Sequence, residues 1–318
     1  MTPAAALVVG RGELTLAAAE RIMVERKVKK LPLVDAHGVL IGLITAKDIY
    51  RQERLPFATR DGHGRLRVGA AIGATGDFLE RAADLVKAHV DAIVIDIAHG
   101  HSTVMAKAID AFRKAFADAE LVAGNIATAD GVRFLAERGV NAIKVGIGPG
   151  GGCTTRLTTS FGVPLIADGG IKRHGAILEA LLFGGDTVML GSMFAGTEET
   201  PGDVVRKSVV LPDQQRSVKV PFKVLRGMAS IQAIRDRLDV EDDEVVDLEA
   251  LGAEGTEVSV PARGSVRPIV QDILKHLCSS ISYGGARSLD ELRQMFRDDP
   301  MRYLVKLSAS SKRESYER

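Results

Sequence analysis

The 318-residue chain has no tryptophan, only two cysteines (Cys153 and Cys278), and aromatic residues at just 4%. Two cysteines cannot build a disulfide scaffold. So few aromatics leave no stacking platform for single-stranded nucleic acid. Neither sign of charge is in excess, since 42 Lys+Arg stand against 41 Asp+Glu. Binding to nucleic acid or to an anionic membrane surface is therefore not expected. No apolar run reaches the ~18 residues of a membrane span. The opening Met1-Thr2-Pro3-Ala4-Ala5-Ala6 lacks the basic region of a secretory signal. These absences lead to an expected cytoplasmic, reducing location. What the chain does have is glycine, 33 residues of it, and 46% hydrophobic residues. At about 100–200 residues per domain, the length suits one large domain plus a small module.

Residues 1–62 are expected to hold the small module and its linker, and residues 63–318 the large domain. From Leu14 to Val28 apolar residues recur at helical spacing, with Thr15 placed to cap the helix. Two short strands follow, Lys30–Val34 and Val39–Ile44, joined by Asp35-Ala36-His37-Gly38, which has hairpin-turn chemistry. Thr45 and Asp48 then open a second helix. Residues 53–68, polar and glycine-bearing, read as a linker.

From Leu66 onward short β-branched runs alternate with amphipathic segments. The runs are Leu66–Gly69, Ala92–Ile97, Leu121–Ala123, Ala142–Gly146, Leu165–Ala167 and Thr187–Leu190. The segments include Asp77–His89, Ser102–Phe116 and Asp130–Arg138. Such alternation means a parallel sheet buried on both faces. Small or polar residues close nearly every run, as in Ala98-His99-Gly100-His101-Ser102, Gly124-Asn125, Asp168-Gly169-Gly170 and Gly191-Ser192. Function at strand C-termini is the habit of a TIM (β/α)8 barrel, although a doubly wound open sheet would look the same locally. Residues 208–262 break the rhythm with charged, helix-poor stretches, read either as a lid over the site or as a solvated insertion. A helix returns at Val266–Leu277.

The segment Lys144-Val145-Gly146-Ile147-Gly148-Pro149-Gly150-Gly151-Gly152-Cys153-Thr154-Thr155-Arg156 carries the sharpest chemistry. Gly146, Gly148 and Gly151 match a dinucleotide fingerprint in form, but no helix opens at the third glycine, so that reading fails. Glycine-rich backbone suits a monovalent cation or a phosphate and lets a ligand come close to a thiol. A lone cysteine is commonly a small buried hydrophobe. In such a loop, past the end of a strand, Cys153 reads better as a nucleophile. His99-Gly100-His101 hints at a metal, but no Cys/His partners stand at ligand spacing.

Together these motifs resemble the IMP dehydrogenase/GMP reductase family. "VGIGPGGGCTTR" is similar to its catalytic cysteine loop, and "DIAHGHS", "AGNIAT", "IADGGI", "VMLGSMFAGTEETPG", "RGMAS", "EGTEVSVPARGSV" and "SSISYGGARSL" recur along the chain in the family's order. The N-terminal "KVKKLPLVD..GVLIGLITAKDI" resembles one CBS motif, in which Thr45 and Asp48 would contact the ribose of an adenine nucleotide. A remnant with no ligand is the other reading, because such modules normally pair two motifs. The resemblance implies conversion of IMP to XMP with NAD, and potassium as a second cofactor. Cys153 would attack C2 of the purine, Thr155 and Glu254 would relay protons, and Arg237 would act from the lid. Asp168 would bind the ribose hydroxyls, Gly170, Gly191 and Ser192 the phosphate, and Met228 and Ala229 the base. Asp96, His99, Ser102, Asn125 and Gly146 would face the cofactor. Carbonyls of Gly148, Gly150 and Cys153 would hold potassium. A homotetramer is implied as well. GMP reductase, taking GMP to IMP with NADPH, is the alternative, as is a purine nucleotide-binding regulator that has lost turnover.

The chain also departs from the family. Six of the eight barrel strands are recognisable, and Phe161-Gly162-Val163-Pro164 abuts the Leu165 strand without room for a crossover helix. Gly151 replaces a phosphate-binding Ser, and Leu225 a phosphate-binding Tyr. The dehydrogenase lid's Arg-Tyr pair is missing, with Leu238 following Arg235 and Arg237. The reductase's acidic residue is missing too, since Ile231 and Gln232 follow "RGMAS".

Overall fold

A computed structural model describes the chain except Met1, Ala4, Ala5, Glu13, Pro56, His63 and residues 148–161, 211–216, 227–256 and 305–318. The chain divides into two compact units, Met1–Val68 and Gly69–Arg318.

In the first unit β1 (Gly10–Arg11) pairs in parallel with β2 (Lys30–Val34), which pairs antiparallel with β3 (Leu40–Thr45). The expected turn is built as its chemistry requires. Asp35 Oδ1 accepts the amides of His37 and Val39 at 2.8 Å each, and Gly38 takes φ 82°. Helix α1 (Leu16–Glu25) starts at Thr15, whose side chain accepts from Ala18 N. Ala19 and Met23 on α1 pack with Leu31, Ile44 and Ile49 to form the core. Helix α2 (Ala46–Arg54) opens on a capping box: Thr45 Oγ1 donates to Asp48 Oδ2 at 2.6 Å and accepts from Asp48 N at 3.3 Å. The two residues that the resemblance assigns to a ribose are thus bonded to each other. Residues 60–66, expected within the linker, instead close a loop. Asp61 Oδ1 accepts from Arg65 N at 2.8 Å, Asp61 Oδ2 pairs with Arg65 Nε at 2.7 Å, and Arg60 bridges Leu66.

In the second unit six strands form one sheet in the order β4 (Gly69–Ile72), β5 (Ala92–Asp96), β6 (Leu121–Ile126), β7 (Ala142–Val145), β8 (Leu165–Asp168) and β9 (Thr187–Met189). Every pairing is parallel. Strand order never reverses along the sheet, as it would in a doubly wound fold. This is the order of a TIM-type barrel, six of whose strands are seen among the described residues. One strand position needs correction. The first strand lies at Gly69–Ile72, not at Leu66–Gly69, because Leu66 closes the preceding loop while Ala70 and Ile72 pair with Ile93 and Ile95.

Helices α3 (Phe78–Lys87), α4 (Thr103–Ala115), α5 (Ala129–Ala136) and α6 (His174–Leu182) follow β4, β5, β6 and β8. The period-2 alternation of the strands sorts their side chains. Ile93, Ile95, Leu121, Ala123, Ile143, Val145 and Leu165 pack on one face with Ala82, Met105, Ile109, Phe112, Val132 and Leu135 of the helices. The other face carries Asp96, Gly124, Lys144 and Asp168. The connection from β7 to β8 shows no helix among its described residues.

The excursion expected at 208–262 is, in its described parts, an antiparallel sheet of β10 (Val205–Val210), β11 (Ser217–Arg226) and β12 (Glu257–Pro261). Residues 227–256, the charged part of the expected lid or insertion, lie outside the described residues. Buried Lys223 on β11 anchors this sheet by donating to the carbonyls of Thr197 (2.9 Å) and Thr200 (2.7 Å). Beside it Glu199 accepts from Ser265 Oγ at 2.6 Å and Val266 N at 2.8 Å, at the start of α7 (Val266–Tyr283). The Ser265 hydroxyl, then the Val266 amide, hold the Glu199 carboxyl below its usual range. Helix α8 (Leu289–Asp298) follows, and its Arg293 donates to the carbonyls of Leu181 (3.0 Å) and Gly185.

At the N-terminal ends of the strands Arg113 is the main fastener. Its guanidinium reaches the carbonyls of Ala119 (2.6 Å) and Gly139 (2.7 Å) and Asn141 Oδ1 (2.5 Å), just ahead of β6 and β7. Asp186 Oδ2 similarly accepts from Leu165 N at 2.9 Å. Among the described residues no helix is long and apolar enough to cross a membrane.

Thr45→Ala is expected to cost about 1 kcal/mol locally, the usual value of a helix cap. Faster amide exchange over residues 46–54 of the intact chain would report it. Hydrogen bonding to Thr45 lowers the Asp48 pKa, so its contribution holds at neutral pH and is lost as pH falls through and below the usual aspartate range. The difference between wild type and Asp48→Asn should shrink in the same direction.

Candidate functional site

Four polar side chains converge at the C-terminal ends of β5 to β8. Asp96, Gly124, Lys144 and Ile166 form one row across these strands. Asp168 stands two residues beyond Ile166, on the same face. Lys144 is buried, and its Nζ lies 3.0 Å from Asp96 Oδ1 and 2.7 Å from Asp168 Oδ2. To reach Asp96 the ammonium must cross the intervening strand, and Gly124 leaves the gap. A Cβ there would lie 2.4 Å from the Lys144 carbonyl oxygen and 2.7 Å from its Cβ. Two partly exposed carboxylates thus neutralise a buried ammonium that would be costly to bury alone.

Asn125 occupies a register shift between Gly124 and Ile126 on β6. Its Nδ2 donates to Asp168 Oδ2 at 3.0 Å and to the Gly146 carbonyl at 2.6 Å. Its Oδ1 is buried and finds no donor among the described residues. Gly146, where the chain leaves β7, has φ 144°, and a Cβ there would fall 1.8 Å from the Asp168 carbonyl oxygen. Only glycine lets the two strand ends come this close.

The other expected residues line the same rim. Gly100 N donates to the Asn125 carbonyl at 2.6 Å, tying the His99–Ser102 loop to Asn125. His99 and His101 are exposed with ring centroids 6.5 Å apart, and Ser102 caps α4 by accepting from Met105 N. Gly169 and Gly170 turn away from β8 with φ 94° and 73°. Gly170, Gly191 and Ser192, expected at a phosphate, are exposed after the adjacent strands β8 and β9. Cys153, Thr155, Arg237, Glu254, Met228 and Ala229 lie outside the described residues, as do Gly148 and Gly150 of the expected potassium site.

Lys144 has no place among the residues expected at the site, yet it is the hub of the described part. The signal was present in Ala142-Ile143-Lys144-Val145, where a lysine interrupts an apolar run at the end of a buried strand.

Comparison with known proteins agrees with this geometry. The family model described as the IMP dehydrogenase / GMP reductase domain matches residues 15–317. The chain is 40% identical over 299 residues to inosine-5'-monophosphate dehydrogenase of Aquifex aeolicus, covering 88% of this chain and 59% of that protein. It is 44% identical over 301 residues to the Streptococcus pyogenes protein of the same name, with the same coverages of 88% and 59%. Among solved structures it resembles a GMP reductase variant of Trypanosoma brucei in complex with guanosine 5'-monophosphate, with TM-score 0.82 and 34% identity. That match covers 99% of this chain and 65% of the other. The chain thus spans about three-fifths of the length of its curated relatives.

Replacing Lys144 with Met would leave Asp96 and Asp168 facing each other without their cation. Both carboxylates retain some solvent, so the expected loss is about 2–3 kcal/mol, below the full cost of breaking a buried pair. Urea unfolding would measure it, and adding Asp96→Asn to Lys144→Met should recover part of the loss.

Proposed function

The chain belongs to the IMP dehydrogenase / GMP reductase family, and we propose that it is an oxidoreductase converting IMP to XMP with NAD. The observation that carries this reading is the Asp96–Asn125–Lys144–Asp168 cluster, beside which the Cys153 loop leaves the sheet at Gly146. Lys144 and Asn125 fix the Asp168 carboxylate, which binds the ribose hydroxyls of the nucleotide. Gly170, Gly191 and Ser192 offer backbone amides to its phosphate, at the ends of neighbouring strands. Met228 and Ala229 lie along the base.

The Cys153 thiolate adds to C2 of the purine, forming an S–C2 bond. NAD, when bound, supplies the acceptor for the hydride that leaves C2. Cys153 then holds the purinyl group until water adds at C2. The C–S bond breaks, XMP leaves, and the thiolate returns. Thr155 and Glu254 take the proton from that water, with Arg237 of the lid beside them. Asp96, His99, Ser102, Asn125 and Gly146 face the dinucleotide. The buried Asn125 Oδ1, which has no donor among the described residues, suits a bound molecule that brings one. Carbonyls of Gly148, Gly150 and Cys153 would hold K+ and order the loop. The working assembly is proposed as a homotetramer in the cytoplasm, with an adenine nucleotide as a ligand of the Thr45–Asp48 module.

A second reading is GMP reductase, in which the same cysteine adds to C2 of GMP, ammonia leaves, C2 takes up a hydride that bound NADPH would supply, and the C–S bond breaks to release IMP and the thiolate. It is favoured by the likeness to the Trypanosoma brucei structure and by Leu238 standing where the dehydrogenase lid has Tyr. Nicotinamide absorbance in K+ buffer separates the two. A rise with IMP and NAD supports the first, and a fall with GMP and NADPH the second. Silence in both, with calorimetric binding of either nucleotide, would leave a regulatory binding protein. Cys153→Ala should lower turnover about 1,000-fold or more while nucleotide binding persists. Full activity in that variant would remove the covalent step.

A further inference from the structure

On the outer layer of the second unit, α6 and α7 bring three metal-binding side chains together. His174 is the first residue of α6, and Asp272 and His276 stand one turn apart on α7. His174 Nε2 lies 3.1 Å from Asp272 Oδ2, and His276 Nε2 lies 3.5 Å from Asp272 Oδ1. One ligand atom from each side chain lies within 4.8 Å of the others. The two imidazoles are stacked, with centroids 4.4 Å apart and planes at 22°.

We propose that these residues form a divalent metal site of the zinc and nickel class, distinct from the nucleotide site and independent of that reading. Three arguments support it. The first is distance. Ligand atoms about 2.0–2.2 Å from a divalent ion stand roughly 3.0–3.6 Å apart in octahedral or tetrahedral arrays. Each histidine nitrogen stands at that spacing from one of the two Asp272 oxygens, and the three-atom set lies within 4.8 Å, so closing on an ion needs only a small movement of exposed side chains. The second is preorganisation. Ile177 and Leu181 of α6 pack with Ile273 and Leu277 of α7, so the helices are held together next to the three ligands. An ion would meet a chelate already assembled rather than one it must gather. The third is ligand chemistry. Two imidazoles and one carboxylate suit Zn2+, Ni2+, Co2+ or Cu2+, whereas Mg2+ and Ca2+ require mostly oxygen. Three protein ligands leave a position for water. Such an ion would pin the start of α6 to α7, only six residues past Asp168.

The test uses the full 318-residue chain, made without a histidine tag and stripped with chelator. Calorimetric titration with Ni2+ should show one equivalent bound, unaffected by millimolar Mg2+. His174→Gln and His276→Gln should each weaken binding by about 100-fold or more, with an unchanged circular dichroism spectrum. Ni2+ should raise the Tm of the wild type and not that of the double variant. Co2+ should give ligand-field bands without a thiolate charge-transfer band, which excludes Cys153 and Cys278 as the ligands. The proposal is overturned by no binding at micromolar Ni2+, by equal binding in the variants, or by a thiolate band.

Discussion

One ammonium group, on Lys144, decides how four strands of this molecule must end. It is buried, so it must be neutralised, and the nearest anions stand on strands to either side. Reaching them fixes the rest. Gly124 has to be bare for the lysine to cross β6, and Gly146 has to be bare for β7 and β8 to close up. Asn125 must turn at its register shift to share Asp168 Oδ2. The Asp168 carboxylate is thus oriented before any ligand arrives, because Lys144 and Asn125 both hold its Oδ2. Charge balance and site geometry are one constraint.

A similar economy holds the three-stranded sheet in place. Lys223 spends its ammonium on two turn carbonyls, and Glu199 spends its carboxylate on Ser265 and the first amide of α7. The segment Thr197-Glu198-Glu199-Thr200, which resembles a family motif, is thus a joint. It joins the loop after β9, the sheet and the next helix. The residues that follow β11 start from an anchored strand.

Much of this was legible in the sequence. The hairpin at Asp35–Gly38, the cap at Thr15 and five of the six barrel strands follow from turn chemistry and periodicity, which are local. The first barrel strand starts later than the sequence suggests, because Leu66 looks like a strand start. Its partner, the clasp between Arg60, Asp61 and Arg65, is visible only when the loop closes. Lys144 is hard to place for a related reason. A lysine in an apolar strand declares that it needs an anion, but Asp96 and Asp168 lie 48 and 24 residues away, and strand register alone makes them neighbours. The barrel itself was one of two topologies until the sequential strand order removed the other.

The opposite ends of the sheet are built from different materials. At the ends where the chain enters the strands, Arg113, Asn141, Asp186 and Arg293 chiefly bond backbone groups, fastening loops and strand starts to one another. Where the chain leaves the strands, charged and amide side chains are bonded to one another. Among the described residues the two poles share strands but none of these side chains. Such a polypeptide can accumulate changes at its entrance pole that harden or soften it against heat, while its exit pole keeps its shape. It has two separately adjustable halves, and a lineage could drift in durability without drifting in what it recognises.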